Sequence, residues 1–263
     1  MARSASLATS RWLPSYAWWP PSDEYALTVV LSPYHVTTEP EAEFEATIRG
    51  FAGAGEPLFE HRTGVYRFGD EVAVELDELD LPGPPAPHGG VVEIHPIRID
   101  RPPSRTVDFL GQWVHAEGRG GGGYIIPTIP VRGQEKRIDR DDLQVLPGVM
   151  SSPDVETEVV LLNPIDAPVE ARITVSSPSG MIVEGGWFTV EPWSAWRSPL
   201  SDALPRVRRM LAEDGGVGSA AVYSSHKVLP YFGLRGKGMP LSCMDHGAPV
   251  SYTHLTLPTI LRV

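Results

Sequence analysis

From Phe44 to Arg49 the chain reads FEATIR, and from Val169 to Val175 it reads VEARITV. In both runs every second side chain is apolar and the intervening ones are charged or hydroxylated. A repeat of two puts all the apolar groups on one face of an extended strand and the polar ones on the other. Such a strand must be paired and must lay one face on an apolar layer, as half-buried antiparallel strands do. Similar short runs, rich in β-branched and aromatic residues, fill both halves of the chain. The first half holds EYALTVVL, GVYRF, EVAVEL, GVVEIHPI and VDFLGQWV; the second holds ETEVVLLN, GGWFTV, VGSAAVYSS and KVLPYFGL. Turn residues bound each run, and Pro and Gly number 27 and 26 across the 263 residues. These signals predict an all-β, antiparallel sandwich architecture.

The runs recur in the same order. ALTVVLSP (Ala26 to Pro33) lies over EVVLLNP (Glu158 to Pro164), FEATIR over VEARIT, GVYRF over GWFTV, LDEL near LSDAL, and GGVV over GGVG. A nearly constant offset with loops of unequal length is the mark of a duplicated unit. The expected organisation is an aromatic and Pro-rich segment at 1–22, a first β-sandwich at 23–130, and a polar linker at 131–150. A second β-sandwich follows at 151–249, cut short at its end, and then a foreign tail at 250–263. Within the second repeat, SDALPRVRRMLAEDGG spaces Leu204, Val207, Met210 and Leu211 as on a helix. Ser201 or Asp202 is the expected N-cap and Gly215–Gly216 the stop. The first repeat has LDLPGPPAPHGG at that place, which must be an extended loop.

Composition excludes several classes of function. A net charge of −11 argues against a general affinity for nucleic acid or for an anionic membrane surface. No apolar run is long enough to span a membrane, and the N-terminus lacks the continuous apolar core of a standard signal peptide, so the expected location is cytoplasmic. The acidic run DEVAVELDELD reads as a solvated strand face followed by a polar turn. One cysteine, Cys243, excludes an intrachain disulfide framework and a multi-cysteine zinc site.

The motifs that could carry chemistry do not meet its physical requirements. EGRGGGGY (Glu117 to Tyr124) has glycines but no Lys-Ser/Thr and runs into an extended segment, so it reads as a hairpin loop rather than a phosphate cradle. GLRGKGMP (Gly233 to Pro240) fails in the same way. His226, Cys243, Asp245 and His246 are ligand types gathered near the end of the second repeat. Asp245 and His246 are adjacent, however, and on a strand they would point to opposite faces. No cofactor and no metal site is expected, and no nucleophile elbow or zinc-binding helix is present. Two tryptophan groups stand out: Trp12, Trp18 and Trp19 beside Tyr16, and Trp187, Trp193 and Trp196. Exposed aromatics stack sugars or anchor proteins, whereas buried ones are ordinary in sandwich cores. Trp187 and Trp196 read as core. Trp18, Trp19, Trp193, His226, Tyr231, Arg235, Asp245 and His246 are the candidate ligand- or partner-binding residues.

The second repeat, from VETEVVLLNPIDAPVEARITV through GGWFTVEPWSAWRSPLSDAL to GSAAVYSSHKVLPYF, resembles the small β-sandwich of the sensory rhodopsin transducer family in its succession of strands. That resemblance implies a sandwich that oligomerises and engages a partner rather than an enzyme.

The tail 250–263 differs in style from everything before it. VSYTHLTLPT is the translation of GTC TCT TAT ACA CAT CTG ACG CTG CCG ACG, which resembles a transposon end joined to a library adapter. The residues beyond it fit a short index followed by a stop. The expectation is a processing scar replacing the native continuation after Pro249.

The sequence therefore predicts a non-catalytic tandem β-sandwich that binds a protein partner or itself, with no nucleic acid and no membrane insertion. A carbohydrate-binding accessory module is the alternative. A metal- or thiol-dependent hydrolase using the 226–246 region is the third.

Overall fold

The computed structural model describes residues 14–32, 41–67, 69–79, 87–100, 111–119, 123–130, 142–239 and 241–249. Strands are numbered along the chain. In the first half a six-stranded sheet is built from β1 (Ser15–Trp19), β3 (Glu43–Phe51), β4 (Phe59–Arg62), β5 (Tyr66–Arg67), β7 (Gly90–Arg98) and β10 (Ile129–Pro130), in the order β10-β1-β7-β3-β4 with β5 also on β3. Its four-stranded companion runs β6 (Val72–Glu75), β2 (Tyr25–Ser32), β8 (Gly111–Gly118), β9 (Gly123–Pro127).

The second half repeats this plan strand for strand. Its six-stranded sheet contains β11 (Asp142–Met150), β13 (Val169–Ser176), β14 (Ile182–Glu184), β15 (Phe188–Val190), β17 (Val217–Ser224) and β20 (Ala248–Pro249), in the order β20-β11-β17-β13-β14 with β15 also on β13. Its four-stranded sheet runs β16 (Ser194–Pro199), β12 (Val155–Asn163), β18 (Leu229–Gly236), β19 (Leu241–His246). Adding ten to any strand number of the first half gives its counterpart. The pairings are antiparallel in both.

Each of the repeated sequence runs falls in a counterpart pair. FEATIR and VEARIT are β3 and β13, with Phe44, Ala46 and Ile48 buried in one half and Val169, Ala171 and Ile173 in the other. Three pairs are shifted in register: GVYRF over GWFTV and GGVV over GGVG by two residues, which keeps each side chain on its face, and the β2–β12 pair by one. Leu27, Val29 and Leu31 point into the first core, whereas Val159 and Leu161 do so in the second. Laying ALTVVLSP over EVVLLNP matches Val29 to Val160, which points the other way. A slip of one residue moves a strand's side chains to its opposite face, so the structural match is offset by one.

The first strand of each half lies where the sequence suggested none. SYAWW, between Pro14 and Pro20, is β1; LQVLPGVM, read as linker, forms most of β11. Gly148 adopts φ 74° and the pairing with β17 shifts between Pro147 and Val149, a bulge that interrupts the strand's sequence pattern. The expected helix is divided in two, Leu200–Ala203 and Val207–Ala212, because Pro205 offers no backbone N–H and cannot continue a helix. Neither piece has a side-chain cap. The stop is as expected: Gly216, at φ 82°, donates its N–H to the Leu211 carbonyl at 2.7 Å. In the first half LDEL forms a 3-10 turn, Leu76–Leu79, at the corresponding place. The glycine-rich stretches fall at corresponding places in the strand order, between β8 and β9 and between β18 and β19. Trp12 and the tail 250–263 lie outside the described residues.

The halves share one packed seam. Along β12, Val159 and Leu161 enter the core between the second half's two sheets, while Val160 and Leu162 join a cluster containing Tyr16, Trp18 and Phe51 of the first half. The second four-stranded sheet is thus covered on both faces, which explains the unbroken apolar run VVLL within β12. Fully burying one such side chain is worth about 1.5–3 kcal/mol.

Candidate functional site

Tyr16 and Glu93 pair across β1 and β7, and Glu93 pairs with Arg49 on β3, so their side chains share one face of the first six-stranded sheet. Tyr16 donates its hydroxyl to Glu93 Oε2 at 3.0 Å, and Arg49 donates to Glu93 Oε1 at 2.9 Å and to Glu60 Oε2 at 2.8 Å. Upon this face sits the second half. Tyr231 donates its hydroxyl to the Tyr16 carbonyl at 3.0 Å, and burial pushes that phenol well above its usual range. Trp193, at φ 51° in the turn before β16, stacks on Phe51 with ring centroids 4.4 Å apart and leans on Tyr16 at 6.2 Å. Its carbonyl accepts from Gly53 N–H at 2.9 Å.

Four charges close the seam. Arg197 donates to both carboxylate oxygens of Glu24 at 2.8 Å each and also to Glu158. Arg235 donates from Nε to Glu158 at 2.9 Å and lies 3.7 Å from Glu24. Trp18 lies beneath Arg197 at 5.1 Å, and Trp18 Nε1 donates to the His88 carbonyl at 2.9 Å. Burial works against the Arg197 charge, but the two carboxylates outweigh it and raise its pKa. Burial likewise opposes ionisation of Glu24, and Arg197 with Arg235 more than offsets it, holding the carboxyl below its ordinary value.

Five of the eight sequence candidates are therefore occupied within the fold. Trp18, Trp193, Tyr231 and Arg235 meet at the seam. Trp19 packs edge-on to Phe59 at 5.2 Å in the first half. Trp18 is 0% exposed and Trp19 4%, so neither offers a ring face to a sugar or a partner, because β1 is covered on both sides. The other three are not brought to this place. His226 lies in the turn before β18, its Nδ1 3.2 Å from Ser225 Oγ. Asp245 and His246 are exposed on β19, 3.1 Å from each other. Cys243 is exposed and unbonded to another cysteine. Among the described residues no three His, Cys, Asp or Glu side chains converge as a metal site would require.

An open surface appears elsewhere. On the outer face of the second six-stranded sheet, Arg172 of β13 pairs with Tyr223 of β17, which pairs with Leu143 of β11. The Arg172 guanidinium lies 5.0 Å from the Tyr223 ring and 5.1 Å from the Trp187 ring, an aromatic-cation-aromatic stack. Trp187 is 50% exposed, contrary to its reading as core. Its neighbour Phe188 takes the inward place instead, stacked on Trp196 at 4.3 Å against the second core. The next rows pair Thr174 with Ala221 and Glu184, and Ser176 with Ser219 and Ile182. Ile182 is 62% exposed. Arg172 Nε and Thr174 Oγ1 are buried without a hydrogen-bond partner. At the end of this face is a depression of about 240 Å³ lined by Gly148, Ser176, Pro178 and Ser219 among others. It is smaller than the roughly 300–1,000 Å³ of pockets that enclose small molecules.

The signal for this face lay in β13: its polar positions include Arg172 and Thr174, but nothing local says that Trp187 folds over them. Among the described residues no helix is long and apolar enough to cross a membrane. No protein family, curated protein or solved structure matches the chain.

Proposed function

We propose that the chain is a non-catalytic binding or assembly module, and that its partner docks on the outer face of the second six-stranded sheet, around Trp187, Arg172 and Tyr223. The observation behind this reading is the half-exposed Trp187, set in a cation stack on a sheet face that also carries half-buried Leu143 and Val145. Large aromatics and arginine are the residue types that concentrate energy in protein interfaces. The resemblance to the sensory rhodopsin transducer sandwich, with its implied oligomerisation, points the same way. A carbohydrate partner is the second reading, favoured by the same indole, since an open aromatic face beside polar groups stacks a sugar ring. A cytoplasmic location and an adapter origin for 250–263 belong to this proposal as expectations from the sequence, the latter checked by resequencing the source DNA across Pro249.

The test compares the wild type with Trp187→Ala in sedimentation over a concentration series and in retention on immobilised polysaccharides. Loss of either interaction in the variant, with an unchanged melting temperature, supports the face. Association or retention undiminished in Trp187→Ala overturns it.

A further inference from the structure

The two six-stranded sheets have the same strand order and corresponding pairing registers. Ile48 pairs with Ile94, and Ile94 with Ser15; in the second half Ile173 pairs with Val222, and Val222 with Gln144. With these rows matched, the outward row Arg49, Glu93, Tyr16 corresponds to Thr174, Ala221, Val145. The row Phe51, Val91, Trp18 corresponds to Ser176, Ser219, Pro147. In the first half these outward rows are covered by a four-stranded sheet: Val160, Leu162 and Tyr231 lie in one cluster with Tyr16, Trp18 and Phe51. In the second half the matching positions are half-buried or exposed, and the Trp187–Arg172–Tyr223 stack lies one outward row beyond them, on the row that corresponds to Thr47 and His95.

We infer that the outer face of the second six-stranded sheet receives the first four-stranded sheet (β6-β2-β8-β9) of a second copy of this chain, head to tail. The inference rests on the binding role proposed above and names its partner. The molecule already contains one such junction, in which a four-stranded sheet lies on a six-stranded one of the preceding half. The first four-stranded sheet is the counterpart of the sheet that makes it. Its outward positions correspond in register to those of the docked sheet: Val30 pairs with Ala73 as Val160 pairs with Arg197, and Thr28 pairs with Glu75 as Glu158 pairs with Pro199; Ala73 and Glu75 are exposed, Thr28 is half-buried and Val30 is buried. Exposed Ile125 on β9 adds an apolar contact, and exposed Glu75 and Glu117 are acids that would meet Arg172. Because the two faces differ, the contact is heterologous, and copies add one to the next rather than closing as a twofold pair.

Sedimentation velocity tests this with two variants. Trp187→Ala with Arg172→Glu blocks the sheet that receives; Ala73→Glu with Ile125→Glu, both at exposed positions, blocks the sheet that docks. The wild type is expected to gain mass with concentration, and each blocked variant to associate at least about tenfold more weakly. A mixture of the two variants is expected to form dimers and nothing larger, since one open face of each kind remains. Trp187→Phe is expected to restore association, and near-ultraviolet circular dichroism shows that each variant is folded. A wild type that stays monomeric overturns the inference, as does a mixture that stays monomeric. A monomeric wild type retained on a polysaccharide that releases Trp187→Ala removes the second copy as partner and leaves the binding face standing.

Discussion

Arg197 grips Glu24 across the seam with two parallel hydrogen bonds of 2.8 Å each, although 173 residues separate them. The same guanidinium reaches Glu158, and Arg235 shares that carboxylate, so two cations and two anions balance at the junction. This geometry ties the orientation of the second half to the loop that follows β1, and it does so with directional bonds rather than apolar contact alone.

Removing Arg197 leaves a buried carboxylate short of its partner. Arg197→Met is expected to lower unfolding stability by about 3 kcal/mol, measured by urea denaturation, because an uncompensated buried charge costs more than the pair contributes. The reciprocal Glu24→Gln is expected to cost less, since Glu24 is partly open to water.

Gly50 is a place where a methyl group has no room. A Cβ there would lie 2.1 Å from the Phe59 ring and 2.6 Å from the Trp19 ring, the two aromatics that close over it. Gly50→Ala is expected to lower stability by about 1–3 kcal/mol through overpacking, and to alter the near-ultraviolet signal of Trp19.

Asn163 is a buried amide that holds three carbonyls. Its two Nδ2 hydrogens are shared among the carbonyls of Ala167, Val190 and Glu191, at 2.8, 2.9 and 3.0 Å, and its Oδ1 accepts from Ile165 N–H at 3.2 Å. Asn163→Ala strands those groups and is expected to cost about 2–3 kcal/mol in a melting comparison. Asn163→Asp is expected to be no better, because an ionised carboxylate cannot donate to any of the three carbonyls.

Asp100 carries a pH dependence of defined sign. Hydrogen bonds from Arg98, at 2.6 and 2.9 Å, hold its carboxyl down to about 2 from the ordinary 3.8. Its folded pKa lies below the unfolded one, so its stabilisation is complete above the unfolded value and is lost as pH falls toward the folded value. Carbon-13 titration of the carboxyl is expected to show a midpoint near 2, and Arg98→Ala to return it toward 3.8.

Much of the fold was legible because strand alternation is a local signal. Phe44, Ala46 and Ile48, and their counterparts Val169, Ala171 and Ile173, declare their faces without help from distant residues. Where the local pattern is broken, no strand is legible. SYAWW sits between prolines and is buried on both faces, so it shows no alternation; Pro147 and Gly148 bulge β11 and disguise it as linker. The candidate site was legible only in kind. Tryptophan stands out in the sequence as a residue type, but which of them faces solvent depends on partners far along the chain. Trp193 turns inward because Phe51 is there to receive it, and Trp187 remains outside because Phe188 holds the inward place. Neither outcome is encoded within a few residues of either tryptophan.

Hydroxyl-radical footprinting of the tryptophans by mass spectrometry, run at low and high protein concentration and with added glycans, reports on occupancy of the Trp187 face. Trp187 is expected to oxidise readily in the dilute protein and to become protected when a partner is bound, while Trp18 and Trp19 stay protected throughout. Trp187 that remains equally reactive under every condition would show that no partner covers this face, and Trp18 that oxidises as fast as Trp187 would show that the seam is open.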